Sequence, residues 1–137
     1  MVAVVPKPFI VANVNMTLDA VDYSPSVNQV QFDPTTPKAT FKGLAPGAVF
    51  VMAGEPSWVA TIGLAQDWET ATGLAVYLMD NVGEIVPATF EPKAGGTPFT
   101  CNLLIEPGPV GGTGDNVAVA TVALSVVGPL TRGTIEP

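Results

Sequence analysis

The sequence predicts a mainly β fold, a β-sandwich with one flanking α-helix and an extended N-terminal arm. Three observations predict it. Short segments rich in Val, Thr, Ile and Phe alternate apolar and polar residues, the period-two signature of half-buried strands. Fourteen Gly and fourteen Pro residues are spread along the 137-residue chain and punctuate those segments, as turns do in sandwiches and barrels. A single stretch centred on residue 75 carries an apolar stripe at helical spacing.

Residues 1–13 are expected to form an extended arm. Pro6 and Pro8 remove backbone donors and disfavour regular structure, while Phe9, Ile10 and Val11 are adhesive. Such an arm either frays or docks on a neighbouring subunit. One domain, 14–128, follows it. Its first strand is expected over 14–21, where Val14, Met16 and Leu18 alternate with Asn15, Thr17 and Asp19. A turn at Tyr23-Ser24-Pro25-Ser26 leads to a strand over 27–33. Asp33-Pro34-Thr35-Thr36-Pro37 has turn chemistry, because proline fixes φ and Asp bonds the following backbone. With a returning strand over 38–43 it predicts a hairpin with a projecting tip. Leu44-Ala45-Pro46-Gly47 is a second turn, 49–52 a short strand ended by Gly54-Glu55-Pro56, and 57–65 a longer strand.

The helix follows. Ala71, Leu74, Ala75, Leu78 and Val82 form its expected core face, with Asp67 or Thr70 as N-cap, Glu69 at the positive end of the dipole and Gly83 as the left-handed C′ residue. At ~13 residues it would be about 20 Å long, enough to cover one side of a sheet. Three strands close the domain, over 84–90, 98–106 and 117–127. The first two are joined by Glu91-Pro92-Lys93-Ala94-Gly95-Gly96. A long loop from Pro107 to Asp115 joins the last two, and an extended tail, 129–137, ends the chain.

Composition narrows the function. Charged residues make up 12% of the chain and apolar ones 47%, against about 25% charged in an average domain. Depletion of charge marks the cores of interfaces, so the surface reads as one covered by copies of itself. The net charge is −7 with five Lys and Arg, too few for a phosphate-binding footprint. Apolar runs are broken before the ~18 residues that a membrane helix needs. Residues 1–9 lack the order of a signal peptide, so export by that route is not expected.

Catalytic chemistry is sparse. The chain contains no histidine, which removes the commonest general base and metal ligand. Cys101 is the single cysteine. It reads as a buried, inert thiol, and one Cys among scattered carboxylates makes no zinc set. No two carboxylates are spaced as a glycosidase pair. Gly108-Pro109-Val110-Gly111-Gly112-Thr113-Gly114 lacks the Gly-Lys-Ser/Thr ending of a phosphate loop. The expectation is no enzyme, no cofactor and no metal.

The order of motifs at the centre of the chain carries a resemblance. WVATIGLAQDW from Trp58 to Trp68 is followed by the leucine-rich helix to Asn81 and by GEIVPATFEP from Gly83 to Pro92. Then come Ala94-Gly95-Gly96, Glu106-Pro107-Gly108-Pro109-Val110-Gly111-Gly112 and an Ala/Val strand over 117–127. Upstream lie the strand over 27–32 and Thr40-Phe41-Lys42-Gly43-Leu44. This series, over roughly residues 20–128, resembles the major tail (tail tube) proteins of siphophages, the actinobacteriophage forms above all.

The resemblance implies a tail-tube-like β-sandwich whose copies form rings, six to a ring, that stack into a hollow tube through which DNA passes without specific binding. It implies the chain itself as partner, together with tail tip, tape-measure and tail terminator proteins, in a virion tail assembled in the host cytoplasm. Interface candidates are Phe9, Ile10, Val11, the 33–37 segment (Asp33, Pro34, Thr35, Thr36, Pro37) and the loop residues Pro107, Gly108, Pro109, Val110, Gly111 and Gly112. Lumen-facing acid candidates are Glu55, Glu84, Glu91 and Glu106. A head–tail connector or capsid decoration protein is one alternative. Another is a monomeric carbohydrate-binding sandwich, which would use Trp58 and Trp68 as stacking surfaces.

Overall fold

A computed structural model of the chain describes residues 3–11, 14–93 and 96–133. Met1, Val2, Ala12, Asn13, Ala94, Gly95 and 134–137, which belong to the expected arm, turn and tail, lie outside them. The architecture is mainly β, a curled sheet with one helix. Residues 3–11 hold no regular structure. The strands are β1 (Asn15–Leu18), β2 (Val21–Asp22), β3 (Val27–Thr35), β4 (Lys38–Lys42), β5 (Val49–Ala53), β6 (Ser57–Ala65), β7 (Ile85–Glu91), β8 (Phe99–Leu104) and β9 (Val119–Arg132), with α1 (Leu74–Asp80) between β6 and β7. Seven strands form the sheet in the order β2-β1-β7-β8-β9-β6-β3, and β4 and β5 form a separate pair.

β9 makes the sheet a sandwich. Its residues 119–125 pair with β6 and its residues 126–132 with β8, so one strand serves two layers. The bend between layers is a bulge: Gly128, Pro129 and Leu130 stand opposite Cys101 alone, and Gly128 has φ 85°, a conformation glycine adopts without steric cost. Residues 129–132, expected in the tail, therefore belong to β9. Gly128-Pro129 bends the strand without ending it, and pairing resumes at Thr131 and Arg132.

Period-two burial builds the core. Ala60, Ile62 and Leu64 of β6, Val86, Ala88 and Phe90 of β7, and Ala120, Val122 and Leu124 of β9 all point inward, joined by Met16, Leu18 and Leu103. Phe32 meets Phe90 across the layers at 5.8 Å between ring centroids. No buried side-chain polar atom among the described residues lacks a hydrogen bond.

Three local expectations are corrected. The strand expected over 14–21 breaks at Asp19 and Ala20, whose φ values of 50° and 64° make a two-residue hairpin turn with Leu18 opposite Val21. The hairpin expected over 27–43 does not form. Asp33, Pro34 and Thr35 stay in β3 and pair with Val59, Trp58 and Ser57, because β3 is an edge strand and tolerates proline. The helix is shorter than expected: Gly73 is its N-cap and Asn81 its C-cap, leaving Ala71 and Val82 outside it and exposed, while Leu74, Ala75 and Leu78 are buried. Asp67 instead accepts the backbone N–H groups of Glu69 and Thr70 in a turn before the helix. Gly83 does take a left-handed φ of 87°, two residues past the C-cap.

The β1–β2 turn offers a stability test. Ala20 holds a left-handed conformation that costs an L-residue roughly 1–2 kcal/mol, part of which glycine would return as chain entropy. Ala20→Gly is therefore expected to stabilise the domain by up to ~1 kcal/mol, seen as a rise of about 2–5 °C in Tm.

Candidate assembly surface

β9 ties the two halves of the sheet together. Its middle, Ser125 and Val126, stands between Val59 near the start of β6 and Leu103 near the finish of β8, while Arg132 at its finish stands opposite Phe99 beside the β7–β8 turn. The β4–β5 arm projects from the finish of β3 and the start of β6 through a kink where the Gly54 N–H donates to the Pro37 carbonyl at 2.8 Å. The helix-bearing end of β6 is the opposite one, where α1 lies against Leu64 and Ala120 and Leu74 and Leu78 join Leu64 in one core cluster.

The arm is the most exposed regular element. Every residue of β4 and β5 is exposed. Register places Ala39, Phe41, Phe50 and Met52 on one face, which is wholly apolar, and Lys38, Thr40 and Lys42 with Val49 and Val51 on the other. Phe41 and Phe50 touch at 6.2 Å between centroids. The tip turns at Gly47, φ 78°, and presents Leu44 fully to solvent. An isolated two-stranded ribbon is at best marginally stable in water, and an apolar patch of this kind marks an interaction surface. Sequence reading placed the projecting element at 33–37, which is the finish of β3 and the kink at the arm's base. The alternation of Ala39 and Phe41 with Phe50 and Met52 around Leu44-Ala45-Pro46-Gly47 was the signal for the arm itself.

The other candidates fall in separate places. Phe9, Ile10 and Val11 are exposed, and Phe9 lines a groove with Lys7, Lys93, Phe99 and Arg132. Thr36 and Pro37 lie in the β3–β4 kink. The 107–112 loop is held down by a residue that sequence reading did not single out. The Gln66 side-chain amide donates to the carbonyls of Gly111 (2.6 Å) and Val119 (3.0 Å), and its oxygen accepts from the Gly111 N–H. Glu84 precedes β7 and Glu106 follows β8, close to the Ile85–Leu104 pair; Glu91 lies at the other end of β7, and Glu55 lies between the arm and β6. Trp58 lies near the start of β6 and Trp68 beyond its finish, against Leu64, so the two form no common stacking platform.

Acids lie near Tyr23 and Tyr77, whose rings meet at 5.8 Å between centroids. Burial first, then the charge of Asp19, holds both Tyr23 and Tyr77 above the usual phenol range, and Glu84 adds to the effect at Tyr77. Asp22 is held below the usual carboxylate range by the Ser24 hydroxyl and N–H. Burial pushes the Cys101 thiol up to about 11 from 9.0. Because its folded pKa is the higher, this burial contributes stability fully present below pH 9 and lost as pH rises through 11. At pH 8 the folded chain is expected to react with an aromatic disulfide reagent at least about a hundredfold more slowly than the urea-unfolded chain; equal rates would show that Cys101 is accessible. No group of three potential metal ligands occurs among the described residues, and none of their helices is long and apolar enough to cross a membrane.

No family model matches the chain, and no curated protein does. Solved structures do. The fold resembles that of a sheath/tube terminator. That protein belongs to PVC, an extracellular contractile injection system, in its extended state; the TM-score is 0.69 at 15% identity, over 96% of this chain and 100% of the terminator chain. At that identity the likeness speaks to fold, and it spans both chains almost completely.

Proposed function

We propose that this chain is a structural tail protein of a phage or phage-like particle, one whose copies close into rings that stack as a hollow tube. The exposed apolar β4–β5 arm carries this reading, because a chain that buries its core so completely gains nothing as a monomer from ten exposed residues on a bare ribbon. The outer edge of β3, a nine-residue strand at the margin of the sheet, supplies a second contact. Unpaired edges are templates for pairing with another chain, and head-to-tail edge contacts generate closed rings. The likeness to a tube terminator supplies the setting, and the motif order supplies the finer assignment: the major tail protein of a siphophage, hexameric in the ring, with DNA passing through the lumen. Tail tip, tape-measure and terminator proteins would be its partners, in a virion tail assembled in the host cytoplasm. The role is mechanical rather than catalytic.

The structural neighbour favours a second reading, in which the chain caps a tube as a single ring. Negative-stain electron microscopy at rising concentration, with sizing chromatography alongside, separates the two. Hollow tubes with a regular axial repeat support the tube subunit. Isolated rings that never stack support the terminator. A chain that forms neither, alone or with preformed tubes, overturns both.

A further inference from the structure

We propose that the groove between residues 7–9 and the start of β8 is a docking site for an acidic, apolar-bearing peptide segment of a partner protein other than a copy of this chain. Such docking requires no self-assembly and stands apart from the tube reading.

The groove gathers positive charge in an acidic chain. Asp and Glu outnumber Lys and Arg twelve to five, yet three of the five cations, Lys7, Lys93 and Arg132, line this one groove, and no Asp or Glu does. None of the three side chains makes a hydrogen bond or ion pair with another described residue. Like charges gathered without a counter-charge repel one another, and carboxylates seated among them relieve that repulsion. The other two cations, Lys38 and Lys42, lie on β4.

The backbone fixes two of the three. Arg132 stands opposite Phe99 in the β8–β9 pairing, directly after the Thr131–Thr100 pair. Just beyond it the Gly133 N–H donates to the Pro98 carbonyl at 2.7 Å. Lys93 is held in a tight turn, where the Gly96 N–H donates to the Lys93 carbonyl at 2.8 Å. Lys7 alone comes from a segment without regular structure. Charges positioned in advance lose little freedom on binding.

Aromatic groups share the space. Directly opposite residues of an antiparallel pair project from one face, so Arg132 and Phe99 leave the sheet side by side, and Phe99 stands opposite the buried Phe90. The groove thus continues the core face of β8 out to solvent. Phe9 supplies a second ring, 55% exposed, and Pro92 adds to the apolar wall.

These features select the occupant. The volume is about 470 Å³, within the range of ligand pockets, and admits a few side chains rather than a folded surface. An occupant must bring carboxylates, which arginine grips in a bidentate fork, and apolar side chains for the two rings. A polynucleotide offers phosphates and rings, but it runs on past the groove along a chain of net charge −7, which repels it. The two or three carboxylates of a short peptide stay within the ~8 Å over which the groove's own charge acts.

Fluorescence anisotropy with labelled peptides at about 0.05 M salt tests the site. The probe is Glu-Leu-Glu-Phe-Glu-Leu-Glu. One control replaces every Glu with Gln, a second replaces every apolar residue with Ser, and a third is an oligothymidylate of equal length. The probe is expected to bind at least about tenfold tighter than any control. Lys93→Glu with Arg132→Glu should weaken it by more than about tenfold, whereas Lys38→Glu with Lys42→Glu, which changes the net charge equally, should leave it unchanged. Phe9→Ser, at an exposed position, should weaken it severalfold, and circular dichroism checks that the variants fold. No saturable binding of the probe up to about 1 mM, or equal losses from the two double reversals, overturns the proposal. Tighter binding of the oligothymidylate makes the groove a nucleic-acid site and overturns it too. So does a probe that breaks up wild-type oligomers in sedimentation velocity, because the occupant is then a second copy. The tube reading fails separately: a chain that forms neither rings nor tubes can still bind the probe, and tubes can form from subunits that do not.

Discussion

Excision of the β4–β5 arm is expected to abolish assembly while leaving the sandwich folded. The chain crosses from β3 to the arm at Pro37 and returns at Gly54, and those two residues are already hydrogen-bonded. A short glycine-containing turn can therefore replace residues 38–53 without disturbing the pairing of Thr35 with Ser57 or Pro34 with Trp58. None of the removed residues belongs to the buried core cluster, so Tm should move by no more than a few degrees. Assembly should respond quite differently. Aromatic anchors at interfaces typically contribute 2 kcal/mol or more each, and the arm carries Phe41 and Phe50 as an exposed pair. Loss of both implies a drop in association of more than about a hundredfold, read by sizing chromatography and electron microscopy. The milder Phe41→Ser with Phe50→Ser keeps the backbone and should reproduce most of the loss. Normal tubes or rings from the excised chain would show that the arm is not the contact.

The sequence made parts of this fold plain and hid others for identifiable reasons. β6 was legible to the residue, because Ala60, Ile62 and Leu64 repeat at period two between Pro56 and the polar run at Gln66 and Asp67. The starts of β7 and β9 were legible to within one or two residues, at 84 and 117 against Ile85 and Val119. Pairing was not. Turn chemistry at 33–37 implied a local reversal, yet β3 finds its partner in β6 beyond a 21-residue excursion through the arm. A proline tolerated at an edge looks, in sequence, like one that ends a strand. The helix was overextended because Ala71 and Val82 continue the spacing of Leu74 and Leu78, although the sheet offers a surface for two turns only. Gly128-Pro129 read as a stop and is a bulge. The grouping of Lys7, Lys93 and Arg132 could not be read at all, since the three are far apart in sequence and line one groove only in the folded chain.

Leu78→Ala is expected to be the most damaging single truncation at the helix-bearing end. α1 has seven residues, well under the ~12–15 that an isolated helix needs to persist in water, so it exists because of what it buries. Leu74 and Leu78 are almost fully buried, and Leu78 lines one small crevice with Leu64, Trp68, Ala75 and Ala120. Truncating it removes three carbons and leaves a void that a short helix cannot close, at a cost of about 3–5 kcal/mol, a large share of the 5–15 kcal/mol typical of a domain. A shift of the urea midpoint reports the loss, and Trp68 fluorescence reports whether the helix has come away locally before the sandwich unfolds. A conservative Leu78→Met should keep the midpoint close to that of the wild type. A Leu78→Ala chain with an unshifted midpoint would mean that the helix merely rests on the sheet.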